Sequence, residues 1–465
     1  MDMEREIKKT IDIAISKGAK YADFRCSEKE GTSVEHKNGK VENISTGNSF
    51  TGGLRVLYNG SWGFASSNSV SGIADLGDVA FGIAKSMQKM NKSKDIMLSE
   101  TKTVNKDINY KRKTDLNDLS IDDKLDFVRK GHAGASKISS EIKSVSVRYS
   151  DFSSNNVFAN SEGSYILSNP QYFIYYVFSN ARRGDRIEEA YNSRGSFAGI
   201  DELVRDNPYK IAASASRKAV KLLDATLPPS GNMPVILDSS IGGLFVHEAV
   251  GHASEADLAM KGSVFKSRIG EKLGSHMLNI VDDPHLRKRN GYFLYDDEGV
   301  RGKKTVIFRK GVLESYMHSR ESAAEMGVES TGNARAQSAA CQPIVRMSNT
   351  YFNRGEMQVE ELFEGMKKGV SMEGFKGGQV NIVDGTFTFG AERGHIIENG
   401  KKTTFIKDCS ITGKILDVLG KIDGVANNFL MDHIGFCGKE GQTVPVSNGA
   451  PSFRVSKLLV GGQSL

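Results

Sequence analysis

Two consecutive prolines near the midpoint constrain this chain more than any other feature. A helical stretch from Tyr209 to Leu223 runs into Leu227-Pro228-Pro229-Ser230-Gly231. Paired prolines forbid helix continuation, and Ser-Gly adds flexibility. The main boundary is expected there, between an N-terminal region of residues 1–226 and a second domain of residues 232–465. A chain of 465 residues has room for about two to four domains.

The two halves differ in their signals. Met3, Ile7, Ile11, Ala14 and Ile15 recur at helical spacing with Gly18 as a stop, which is an amphipathic helix and not a signal peptide. Tyr21 to Cys26 reads as a strand, and Gly53 to Ala65 as two strands joined at Asn59-Gly60. Ile73, Leu76, Ala80, Ile83, Ala84 and Met87 mark a second helix. The polar stretch Asn91 to Leu119 is a candidate connection between two subdomains, and Ser120 with Asp123 resembles a capping-box start. Beyond the prolines, Lys310-Gly311 and Asn399-Gly400 each break a pair of strand-like runs. The expected class is therefore α+β: a mixed α/β N-terminal region followed by a β-rich C-terminal domain.

Composition excludes several classes. Counting 49 Gly as apolar and removing 14 Tyr brings the apolar share to about 45%, inside ordinary globular usage, so wholesale disorder is excluded. A net charge of +6 is too thin over this length for a nucleic-acid groove or a polybasic membrane patch. The longest aromatic and aliphatic stretch, Tyr172 to Phe178, is far shorter than the roughly 20 residues that span a bilayer. Cys26, Cys341, Cys409 and Cys437 lie far apart without a secretory leader. Free thiols in a reducing cytoplasm are the expectation, with no nucleic-acid or membrane partner.

The chemistry concentrates after the prolines. Pro234 to Asp238 reads as a short apolar strand, and Ser239-Ser240 offers an N-cap for a buried helix carrying His247-Glu248-Ala249-Val250-Gly251-His252. Zinc takes neutral imidazole nitrogens, and a neighbouring Glu can remove a proton from water that the metal acidifies. The histidines stand five apart, roughly 140° around a regular helix, so a straight helix splays them. Gly251 permits a π-bulge or a helix end that swings His252 back toward His247, and a distorted or terminating helix is expected. The plainer alternative is two unrelated histidines, one in the core and one on the surface. A third ligand must come from elsewhere. Glu255 is one candidate, although local pairing with a base accounts for it more simply. Cys437 is the better one: glycines beside it permit close backbone approach, and Lys439 is expected to favour its thiolate.

These segments together with Asp296-Asp297-Glu298-Gly299, Ser330-Thr331-Gly332-Asn333, Gly377-Gly378-Gln379-Val380 and Cys437-Gly438-Lys439-Glu440-Gly441-Gln442 resemble the TldD branch of the TldD/PmbA metalloproteases. The similarity extends to Glu35-His36-Lys37-Asn38-Gly39-Lys40. The PmbA-like branch lacks the metal motif that this chain carries. The resemblance implies a zinc-dependent peptidase with His247, His252 and Cys437 as ligands and Glu248 as the catalytic residue. It also implies two-fold dimers enclosing the active sites, of identical chains or with a PmbA-like paralogue, and unfolded or short extended peptides as substrate. Gly377 and Gly378 could offer an edge for strand addition to peptide main chain, or simply loosen a structural strand. Asp296 and Asp297 read as turn or capping residues. Two rival functions stay open: a non-catalytic, metal-stabilised regulatory or peptide-binding protein, and a metal-dependent amidase or esterase.

Overall fold

The fold comes from a computed structural model that describes residues 3–90, 95–197, 199–431 and 434–461. The eight strands before the prolines form one sheet, with Ser61–Ser67, Lys40–Tyr58, Tyr21–Lys37 and Ile142–Asn160 side by side. The last two pair antiparallel from Asp23↔Asn160 to Lys37↔Ser146. Helices Met3–Ser16 and Leu76–Met90 cover one end of the sheet, burying Ile7, Ile11 and Ala80 against Phe24 and Val56. Helices Ile121–Ser136 and Pro208–Leu222 cover the other, with Val128 and Ile211 against Val147 and Tyr175. The polar connection contributes a strand of its own, Asn105–Ile108, which pairs with Tyr165–Ser168 in the same sheet.

Local chemistry explains the turns. Asn59-Gly60, Lys310-Gly311 and Asn399-Gly400 all have positive φ at both residues, the backbone of a type I′ hairpin. Ser120 and Asp123 form a complete capping box. The helix after the apolar strand Gly231–Leu237 is capped by Asp238, not by Ser239-Ser240: its Oδ1 accepts from the amides of Ser240 and Ile241 at 3.0 and 3.1 Å. A carboxylate one residue earlier takes two of the free amides and adds a negative charge at the positive end of the helix dipole.

The second half is β-rich, as its turn signals suggest. Gly231–Leu237 lies between Lys368–Glu373, parallel, and Phe453–Gly461, antiparallel, and the sheet continues through Lys401–Lys414 and Thr386–Glu398. In another sheet Gln442–Ala450 runs parallel to Asn349–Phe352 and antiparallel to Gly435–Lys439. Helix Ser239–Phe245 enters between the two. Phe245 meets Phe387, Phe389 and Phe453 at ring distances of 5.5 to 6.3 Å, and Val246 and Val250 share a core with Val444 and Val446. Burying one such Phe contributes about 2–3 kcal/mol. The continuation of this helix is thereby held against the strand pair that carries Cys437.

Candidate metal centre

The helix does not stay regular. From Val246 to Gly251 it widens into a π turn, in which the backbone N–H of His252 donates to the carbonyl of His247, and a 3₁₀ turn follows from His252 to Ser254. An i→i+5 bond stacks residues 247 and 252, so the imidazoles that a regular helix would splay lie with ring centroids 5.1 Å apart at 80°. Gly251 leaves room for a neighbour: a Cβ there would sit 2.0 Å from Met347 Sδ.

The hairpin Gly435–Lys439/Gln442–Ala450 brings Cys437 to the pair. Its turn at Glu440-Gly441 has φ of 50° and 74°, and Cys437 lies opposite Val444. Cys437 Sγ is 3.3 Å from His252 Nε2, and one ligand atom from each of His247, His252 and Cys437 lies within 4.8 Å of the others. His247 and Cys437 are buried and the His252 side chain is 12% exposed, whereas the side chain of Glu248 is 29% exposed with its Oε2 3.9 Å from His252 Nε2. The cluster therefore opens on the Glu248 side.

Charge and hydrogen bonding suit a cation. Burial alone would push the Cys437 thiol up, but His247 and then His252 hold it down to about 5. Burial likewise disfavours charge on the rings, yet Cys437 raises His247, and Glu255 with Cys437 raises His252 well above its ordinary value. The imidazoles thus favour the thiolate form of Cys437, which is the form that binds a metal. His247 Nδ1 is buried with no hydrogen-bond partner among the described residues. Soft sulfur with two nitrogen donors is a set that zinc accepts, with a further position left for water.

Glu255 supports this set without joining it. Its Oε2 lies 2.9 Å from His252 Nδ1, which holds the ring with Nε2 toward Cys437. Lys439 Nζ stands 3.2 Å from Glu255 and 2.7 Å from Asp257, and donates to the Val345 carbonyl at 2.8 Å. Burial would raise the Glu255 carboxyl, but Lys439 and then His252 bring it down to about 2. Lys439 was expected to favour the thiolate directly; its ammonium is turned to the acids instead, and the imidazoles lower the thiol. Arg346, fully buried, donates to the carbonyls of Cys437 and Gln442 and fixes the hairpin. Its signal in the sequence is a lone charge in the apolar run Ile344-Val345-Arg346-Met347.

The other sequence candidates have local explanations. Asp296 accepts from the amides of Glu298, Val300 and Ala334, and Asp297 from that of Ala336. Gly378–Val380 is a short strand paired on Thr386–Glu398 and lying against the π turn. Gly377 has φ +91°, and a Cβ on Gly378 would come 2.4 Å from Phe389.

Three family models match in sequence: PmbA/TldA metallopeptidase domain 1 over residues 22–84, the central domain over 114–223, and the C-terminal domain over 230–462. The chain is 40% identical to Metalloprotease MJ0996 of Methanocaldococcus jannaschii over 93% of its own length and 95% of the relative's. It is 32% identical to the Zinc metalloprotease TldD homolog of Saccharolobus solfataricus, over 99% of this chain and 100% of that one. The crystal structure of TldE from Thermococcus kodakarensis superposes with a TM-score of 0.76 at 17% identity, covering 98% of this chain and 100% of that one, which shows a shared fold. With all three models matched in order and full-length relatives above 30% identity, the chain belongs to the TldD/PmbA metallopeptidase family.

Proposed function

We propose that this chain is a zinc-dependent peptidase that hydrolyses unfolded or short extended peptides with Glu248 as general base. The observation that carries the reading is the convergence of His247, His252 and Cys437 with the Glu248 carboxylate beside them at the open side. When bound, zinc acidifies water and polarises a peptide carbonyl. Glu248 takes a proton from the attacking water and returns it to the leaving amine. Glu255 holds the His252 ring by its Nδ1, and Arg346 holds the hairpin behind Cys437. The edge near Gly377 and Gly378 would take substrate main chain by strand addition. The working assembly would be a dimer, of identical chains or with a PmbA-like paralogue, in the cytoplasm. The partly open carboxylate favours a catalyst over a protein that keeps metal only for stability, since a structural zinc site closes with four protein ligands. Chelation tests the metal step: we expect it to abolish cleavage of an unstructured peptide, read by mass spectrometry, and zinc to restore it. Undiminished cleavage by metal-free protein would remove the metal from the reaction. Turnover of a small ester or amide without cleavage of any peptide would favour the amidase or esterase reading.

A further inference from the structure

The positive charge of this chain is not spread evenly. Two tripeptides are wholly basic, Lys111-Arg112-Lys113 in the first half and Arg287-Lys288-Arg289 in the second. The fold brings them to one place. Ser196 Oγ donates to the Lys288 carbonyl at 3.2 Å, and a Cβ on Gly199 would lie 3.8 Å from Arg112 Cβ. Residues 196 and 199 can be at most about 10 Å apart along the chain, so the two runs are neighbours. Tyr110, Phe197 and Tyr292, one from each of the three segments, meet edge to face at centroid distances of 4.7 to 5.7 Å and hold the runs together.

The outer cations lack partners. Lys111, Lys113, Arg287 and Lys288 are exposed, with no ion pair among the described residues. Lys288 stands at φ 70°, a backbone that a residue with a side chain adopts only at a cost. The acids nearest in sequence are engaged: Asp115 with Arg112 at 3.5 Å, the Asn117 amide and Gln171, and Asp283 with the His285 amide and Lys304. Like charges this close repel one another, and an anionic partner relieves them. The second run is also tied to the metal hairpin. Arg289 Nη1 donates to the Met431 carbonyl, and Asn290 Nδ2 donates at 2.8 Å to the carbonyl of Gly435, which precedes Cys437 on the same strand. The Lys288 backbone therefore lies within roughly 25 Å of Cys437, the reach of about seven extended residues.

We propose that this basic surface takes the acidic flank of an extended peptide whose neighbouring stretch reaches the metal centre. The inference rests on the peptidase reading. Glu and Asp side chains of the peptide pair with Lys111, Lys113, Arg287 and Lys288, and the main chain runs on toward the hairpin. A peptide suits the surface better than a nucleic acid. The rings beside the cations are packed on one another, with Phe197 and Tyr292 buried, and offer no open platform on which bases would stack.

Its test uses the full-length, zinc-loaded Glu248→Gln protein, so that peptides survive, and fluorescence anisotropy of two labelled unstructured peptides of equal length that differ only in a run of Glu against Gln. At low salt the Glu peptide is expected to bind about tenfold tighter, the scale of several exposed ion pairs. High salt should remove the advantage. Lys111→Glu with Lys113→Glu, and Arg287→Glu with Lys288→Glu, should each remove most of it without weakening the Gln peptide. Lys8→Glu with Lys9→Glu, exposed on helix Met3–Ser16, makes the same change in net charge and should leave the preference intact. Equal affinity for the two peptides, a preference that survives both surface variants, or one lost equally in the Lys8 and Lys9 variant overturns the proposal. So does tighter binding of a labelled single-stranded oligonucleotide that the surface variants abolish, which would assign the surface to nucleic acid. If the parent chain cleaves no peptide while the preference and its loss hold, the surface stands and the peptidase reading falls.

Discussion

Replacing Glu255 with Gln keeps the shape of the side chain and removes the charge that His252 and Lys439 share. Partners of this kind orient a ligating imidazole and raise its basicity, and their loss costs about 10- to 100-fold in metal affinity. We expect Glu255→Gln to hold zinc at least about tenfold more weakly in competition against a chromogenic chelator. Unchanged affinity would reduce Glu255 to a packing role. The pairing of Glu255 with a base was readable from its place three residues after His252; Lys439 and Asp257 as the rest of the network were not, because 182 residues separate them and only the hairpin fold brings them together. Cys437 is a similar case: its glycine-rich surroundings mark it as unusual, but its distance to His252 depends on two elements 185 residues apart in sequence.

The decisive element is the π turn. Gly251 leaves room for Met347 Sδ where a Cβ would come within 2.0 Å, so Gly251→Ala should force an overpacked turn costing about 1–3 kcal/mol and disturb the edge-to-face approach of His247 and His252. In a Met347→Ala background the same change should cost much less, because the obstructing sulfur is gone. Denaturant midpoints and zinc content of the four forms check this; equal costs in both backgrounds would mean that Gly251 is required for some other reason. The i, i+5 spacing made this distortion legible in advance, since a regular helix separates the rings. Type I′ turns and the Ser120 capping box were legible for the same reason: each rests on residues a few positions apart. Strand lengths were not. Tyr21–Lys37 has 17 residues where the apolar run stops at Cys26, and the remainder, Ser27 to Lys37, is polar apart from the buried Val34 and held by pairing on both sides, from Lys40–Tyr58 and from Ile142–Asn160.

At the scale of the whole molecule, ionic contacts join the first sheet to the half that bears the metal cluster. Arg320 donates to both Glu162 oxygens at 2.8 Å and to the Ser99 carbonyl, and its backbone amide donates to Glu298, which pairs with Arg55 at 3.0 Å. Arg55 in turn reaches Asp23 at 2.6 Å. Breaking the buried Arg55–Asp23 and Arg55–Glu298 pairs would leave an uncompensated charge inside the protein. A cavity lined by residues of both halves lies at this junction. Light scattering should find a dimer that cleaves unfolded but not folded proteins; a monomer that digests folded proteins would contradict both the assembly and the enclosure. The central claim, that this chain is a peptidase and not a protein stabilised by its metal, turns on Glu248. Glu248→Gln preserves shape and removes the base, so the variant should keep about one zinc per chain by elemental analysis while cleavage of an unstructured peptide, followed by mass spectrometry, falls about 10²-fold or more. Equal cleavage by the zinc-loaded variant and the parent chain would contradict the account.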